Sequence, residues 1–217
     1  ASMNIKKERW VLFAVMFSIV LFCLSLWYVR NYYRVGDMTR VKSENGVFDL
    51  TGIDFDTGIL RLEGDVFFIP GILTPEEFAL RENDAQTGNP WDISSATSRI
   101  RIKVPEKRTY MVTAGSIDFA HRVYVNGELR FEAGVPAETA ENFTPGHAQM
   151  TLEVTPENGI IEILQQGANF VHREGGGHSN LYFGRPEVIQ PFLALTFGPE
   201  YITVGLFAAL FLVHLVL

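Results

Sequence analysis

His121-Arg122-Val123-Tyr124-Val125-Asn126-Gly127-Glu128-Leu129-Arg130-Phe131-Glu132 reads as two strands and the turn between them. Asn126-Gly127 is the residue pair that best tolerates the positive φ angles of a type I′ turn, and short strand-forming runs flank it on both sides. An antiparallel hairpin is expected here.

Working outward, Ser98-Arg99-Ile100-Arg101-Ile102-Lys103-Val104 alternates basic and β-branched residues. As a strand it places Ile100, Ile102 and Val104 on one buried face, the pattern of an antiparallel sheet. Further strands are expected at Gly46–Leu50, Ile59–Phe68, Thr109–Gly115, Gln149–Val154 and Ile160–Gln166, with Gly, Pro and Asn clusters between them. One helix is expected: Thr74 is the N-cap, Pro75 the first helical residue, and Glu77 follows three residues after the cap. Arg81–Pro90 reads as a polar loop. Many short strands with turn signals mean an all-β sandwich or barrel.

Both ends of the chain are of a different kind. Trp10 to Val29 is twenty residues without a charge, and a helix of that length spans about 30 Å of hydrocarbon. Trp10, Trp27, Tyr28, Tyr32 and Tyr33 place aromatic rings where head groups would lie. A cleaved signal sequence would have a shorter apolar region and a small-residue cleavage site, but the chain runs on as Leu26-Trp27-Tyr28-Val29. The sole cysteine, Cys23, follows Phe22, which does not fit a lipoprotein signal, and one cysteine rules out an internal disulfide framework or a cysteine metal site. Lys6, Lys7 and Arg9 before the span favour a cytoplasmic N-terminus and put the folded middle outside the cytoplasm. A second apolar run, Tyr201 to Leu217, is interrupted only by His214, which reads as an interfacial or an intramembrane functional residue.

The expected organisation is a cytoplasmic tail (1–9), a transmembrane helix (10–30), a linker (31–45), an extracytoplasmic sandwich (46–190), a juxtamembrane linker (191–200) and the truncated start of a second transmembrane helix (201–217). From Asn31 onward there are 14 Lys and Arg against 24 Asp and Glu. An acidic surface of that size repels phosphate backbones, so nucleic acid is not an expected partner.

The order of several motifs resembles that of a family, the bacterial seven-transmembrane receptors with diverse intracellular signalling modules. Leu60-Arg61-Leu62-Glu63-Gly64-Asp65-Val66-Phe67-Phe68 followed by Gly71-Ile72-Leu73-Thr74-Pro75-Glu76-Glu77-Phe78 resembles the opening of its extracellular domain, with Asp65-Val66 where the family often has Trp. Tyr124-Val125-Asn126-Gly127-Glu128-Leu129 with Gly134 resembles its central hairpin. Asn169-Phe170-Val171-His172-Arg173-Glu174-Gly175-Gly176 resembles a segment near its end, and Gly184-Arg185-Pro186-Glu187 the lead into its first membrane helix. The resemblance implies a jelly-roll, galactose-binding-domain-like sensor that signals through membrane helices to a cytoplasmic kinase, nucleotide cyclase or similar output absent from this chain.

For a ligand site the segment Asn169 to Asn180 stands out, with His172, Arg173, Glu174, three consecutive glycines and His178 in one loop. Arg173 would pair with a carboxylate or sugar hydroxyls, and His172 would donate or accept. Against this, the glycines would simply make a tight turn and the polar groups satisfy exposed backbone. Trp91 would stack on a sugar or pack on the sandwich edge. The expected ligand-binding residues are therefore Asn169, His172, Arg173, Glu174, His178 and Trp91. No zinc signature is present, Asp54 and Asp56 read as turn formers ahead of calcium ligands, Asn126 belongs to its turn, Glu76 and Glu77 read as solvated, and no cofactor is expected. The leading function is a small-molecule sensor in a membrane receptor, with the bilayer as partner and a homodimer as a candidate assembly. The alternatives are a membrane-anchored carbohydrate-active enzyme, for which no carboxylate pair is singled out, and a protein-interaction domain.

Overall fold

The computed structural model describes residues 13, 15–27, 38–54, 58–90, 93–171, 181–194, 198, 202, 204, 205 and 207. The chain divides into two compact units, Asp37–Ile189 and a second made of Ala1–Gly36 with Gln190–Leu217.

The larger unit is a β-sandwich. One sheet has five strands in the order β1 (Met38–Lys42), β3 (Ile59–Glu63), β12 (Leu181–Gly184), β7 (Tyr110–Ile117) and β10 (Ala148–Val154). The other runs β5 (Gln86–Gly88), β4 (Val66–Pro70), β6 (Ser95–Lys103), β11 (Ile160–Ala168), β8 (Ala120–Val125) and β9 (Glu128–Ala133), with β2 (Val47–Asp49) as a seventh strand. β2 and β4 share one side of β6: β4 pairs with Ala96–Arg99 and β2 with Arg101–Lys103. Only β1·β3 and β2·β6 are parallel among the described pairs.

The core fills the space between the sheets. Ile100, Ile102 and Val104 are buried as their alternation predicts, and they meet Val112, Tyr110, Met150, Leu152 and Phe183 from the facing sheet. A smaller cluster of Ile69, Leu73, Phe78 and Leu164 lies outside this core, because the helix Pro75–Leu80 packs on the second sheet. That helix has both halves of the capping box: Thr74 accepts from the Glu77 amide, and the Glu77 carboxylate accepts from the Thr74 amide. Glu77 is thus committed to the cap, not merely solvated.

The hairpin forms where it was expected, with Asn126 at φ 49° and Gly127 at φ 83°. Four other readings are corrected. Ile59–Phe68 is two strands in different sheets, because Gly64 at φ 123° turns the chain across the sandwich. Within the expected loop Arg81–Pro90, Glu82–Asp84 form a 3₁₀ turn and Gln86–Gly88 pair with β4. β1 occupies part of the stretch read as a linker, since its register is set by β3 and not by its own pattern. β12 was not anticipated; it is four residues long and wedged between β3 and β7.

In the other unit, residues 15–27 are helical, and Met16, Phe17, Leu21, Leu24 and Trp27 are exposed. Among the described residues no helix is long and apolar enough to cross a membrane. Parts of both expected spans, including residues 10–12, 28–30 and 208–217, lie outside the described residues.

Candidate binding end of the sandwich

Strand registers place four connections at one end of the sandwich. These are the stretch from β4 to β6, the turn from β7 to β8, the loop from β9 to β10, and the segment from β11 to β12. The chain's entry and exit lie at the opposite end: Met38 pairs with Ile59, next to Leu60, whose partner Phe183 precedes Gly184. Met38 and Gly184 therefore flank the start of β3, about 10 Å apart at two strand spacings.

Local chemistry fixes the loops of the first-named end. Gly134 and Gly146 bring two backbones so close that a Cβ on Gly146 would collide with the Ala133 carbonyl. Val135 and Thr144 then exchange backbone hydrogen bonds of 2.9 and 3.1 Å, closing residues 134–146 into a loop with a pinned base. Phe143 from this loop meets Phe170 edge to face at 5.4 Å. Glu138 reaches across and accepts from the Ile72 amide at 3.2 Å. His147 pairs with Asp118 of the β7–β8 turn.

The turn before the capped helix is held from β6 and β11. Thr97 Oγ1 accepts from the Leu73 amide and donates to the Gly71 carbonyl, both at 2.8 Å, while Gln166 Nε2 donates to the Leu73 carbonyl at 2.7 Å. Beside it, Arg99 is only 4% exposed, yet it carries a charge. Its guanidinium donates to Glu82 Oε1 at 2.6 Å and lies against Phe67 and Phe78, 5.9 and 5.1 Å from their ring centroids. The hydrogen bond from Arg99 is the main reason that the Glu82 carboxyl is held below its ordinary pKa.

Inside the sandwich, the same end turns polar. Gln165 and His121 are in phase with the core residues Ile163 and Val123, so both face inward. Ser98 stands opposite Gln165 on β6, and Ala96, Gly167 and His121 form the next rank outward. Ser98, His121 and Gln165 are 2%, 0% and 4% exposed. His121 is stacked on Phe131 at 5.1 Å and met edge-on by Phe119. Its Nδ1 lies 2.9 Å from the Phe119 carbonyl, which can only accept, so Nδ1 carries the proton. Burial lowers the His121 pKa, which keeps the ring neutral and leaves Nε2 a bare acceptor.

Of the expected site residues, Asn169 is buried at the start of the β11–β12 segment. Its amide donates to the Ser94 carbonyl at 2.8 Å, and its Oδ1 accepts from the Val171 amide at 3.1 Å, an Asx turn that launches the segment. Trp91, His172, Arg173, Glu174 and His178 lie outside the described residues, as does Asp56. Among the described residues no group of three metal-ligating side chains occurs. Asn126 is more than a turn former: its side chain accepts from the Glu162 amide at 3.0 Å and donates to the Thr155 carbonyl at 3.1 Å. A separate open groove of ≈ 420 Å³ lies along Lys42, Glu44, Asn45, Val47, Asp49 and Lys103.

The inward-facing His121 and Gln165 were missed by sequence reasoning. Their phase with Val123 and Ile163 was the available signal.

No protein-family model matches the chain, and no curated protein does. Solved structures with similar folds include a β-glucuronidase from an uncultured Clostridium, at 13% identity and a TM-score of 0.43, covering 62% of this chain and 30% of that one. A putative β-galactosidase from Bacteroides fragilis shares 14% identity at a TM-score of 0.40, covering 58% and 22%. A family 35 carbohydrate binding module from Clostridium thermocellum shares 11% at a TM-score of 0.27, covering 43% and 73%. The chain thus spans less than a third of the β-glucuronidase. Likeness this low leaves the architecture to rest on the strand pairings themselves.

Proposed function

We propose that the sandwich is the extracytoplasmic ligand-binding domain of a membrane signalling receptor, of jelly-roll, galactose-binding-like type, and that it binds a small molecule at the end away from its chain exits. The observation that carries this reading is the polarity of the fold: Met38 and Gly184 leave on one rank of strands, while the loops around Phe143, Asn169 and Gly71 gather at the other end. Loops on a rigid sheet scaffold are where binding groups are ordinarily placed. The apolar, exposed helix at residues 15–27 supports anchorage, because a helix apolar on all sides needs lipid or protein around it. The neutral, polar interior near the loops fits a small uncharged ligand such as a carbohydrate better than an ion.

The test is thermal melting of the fragment Asp37–Ile189 with a panel of monosaccharides, carboxylates and amino acids. A ligand at a hundred times its dissociation constant adds roughly 2.7 kcal/mol, a shift of about 5–11 °C at this size. A shift abolished by Arg173→Ala or His172→Ala places the site in the β11–β12 segment. A cooperative melt that no compound moves counts against small-molecule binding by this domain.

A further inference from the structure

Two buried nitrogen groups at the polar end of the core have no use in the fold as it stands. His121 Nε2 and Gln165 Nε2 are each buried, and neither finds a hydrogen-bond partner among the described residues. They belong to adjacent strands: His121 opposes Gly167 and Gln165 opposes Val123, so the two side chains are diagonal neighbours on one face. Cα atoms so related are about 7–8 Å apart, close enough for long side chains to share one atom between them.

Their chemistry is complementary in one specific way. His121 donates through Nδ1 to the Phe119 carbonyl, so Nε2 offers a lone pair. The Gln165 amide nitrogen offers hydrogens. A single group that satisfies both must donate one hydrogen bond and accept another. A carboxylate cannot donate, and an ammonium cannot accept. A hydroxyl oxygen does both. In the rank of His121 stand Ala96 and Gly167, both small, while Phe119 and Phe131 pack against the His121 ring.

The geometry points to a hydroxyl-binding site within the loop-bearing end of the sandwich, in which an O–H donates to His121 Nε2 and accepts from Gln165 Nε2. The oxygen comes either from an internal water or from a hydroxyl of a neutral polyol ligand. The second source rests on the proposed ligand-binding function; the first does not.

The deciding experiment is ¹⁵N NMR of the histidine ring nitrogens in the intact chain at pH 7, alone and with D-glucose, D-galactose or myo-inositol. The expected result is a neutral His121 ring, protonated at Nδ1, with Nε2 displaced from the position of a free lone pair toward that of a bonded one. If that displacement is present without sugar and unmoved by it, the oxygen is an internal water. The site then stands and sugar binding there does not. If it appears or moves saturably with one sugar, the oxygen is the ligand's. A free lone pair under every condition, or a proton on Nε2, overturns the site. Gln165→Met supplies a second readout: loss of a bound oxygen lowers the melting temperature by a few degrees, whereas removal of an amide that truly has no partner leaves it unchanged or raises it.

Discussion

Arg99 shows how far one side chain can depart from what its pattern suggests. In Ser98–Val104 the basic residues alternate outward, and Arg99 does point away from the main core, but the capped helix and the Glu82–Asp84 turn cover it. A buried guanidinium needs an acceptor, so Glu82→Ala is expected to destabilise the sandwich by about 1–3 kcal/mol in urea unfolding. Arg99→Met, which removes the charge while keeping an unbranched apolar stem, should cost less than Glu82→Ala if the unmet charge is what matters. The lowered Glu82 pKa has a sign. Its contribution is present above the unfolded value of 4.5 and is lost as pH falls through the folded value, so the Glu82→Gln protein should lose less stability on acidification below that pH. His121 acts in the same sense at higher pH. The unfolded chain takes up a proton near 6.5 while the buried ring resists it, so stability should decline as pH falls below 6.5. Denaturant midpoints at successive pH values should show that slope, and it should flatten in His121→Gln.

Elements whose conformation is decided locally were legible from sequence. Asn126-Gly127 demands positive φ, and Thr74-Pro75-x-Glu77 writes out a helix start; both are found where they were read. Elements decided by distant partners were not legible. β1 reads Met-Thr-Arg-Val-Lys and has little strand character until β3 supplies its ladder, and the run Ile59–Phe68 changes sheet at Gly64-Asp65, a short polar break between two strand-like stretches. For the candidate site, the departure of the β11–β12 segment at Asn169 could be read, whereas the inward polar pair required knowing which face of β8 and β11 is covered. The pinned loop offers a test at this scale. Gly146→Ala forces the backbone at Ala133 and Gly134 apart, at a cost of about 1–3 kcal/mol. Hydrogen exchange at the Val135 and Thr144 amides should accelerate more than at β6 or β11. Equal acceleration everywhere would mean that the loop base has no local stability of its own.

For the whole molecule, the core of Asp37–Ile189 draws on both sheets and, among the described residues, contains none from outside that range. The isolated fragment is therefore expected to unfold in one cooperative transition, checked by coincidence of circular dichroism and fluorescence melts. Because Met38 and Gly184 are about 10 Å apart, a linker of about four residues, which reaches ~13 Å, should close the ends. A circular permutant opened at Gly52, where an added Cβ would meet open space, should keep the fold. The same adjacency has a mechanical meaning. A pull along the strands at both exits loads the ladders of β1 and β12 in shear, so that the hydrogen bonds from Met38 to Lys42 resist together. A pull that spreads the exits sideways peels β1 from β3 one pair at a time, starting at Met38 and Ile59. The sandwich is stiff to the first kind of load and soft to the second, so sideways separation of Met38 from Gly184 is the motion to which it yields most readily.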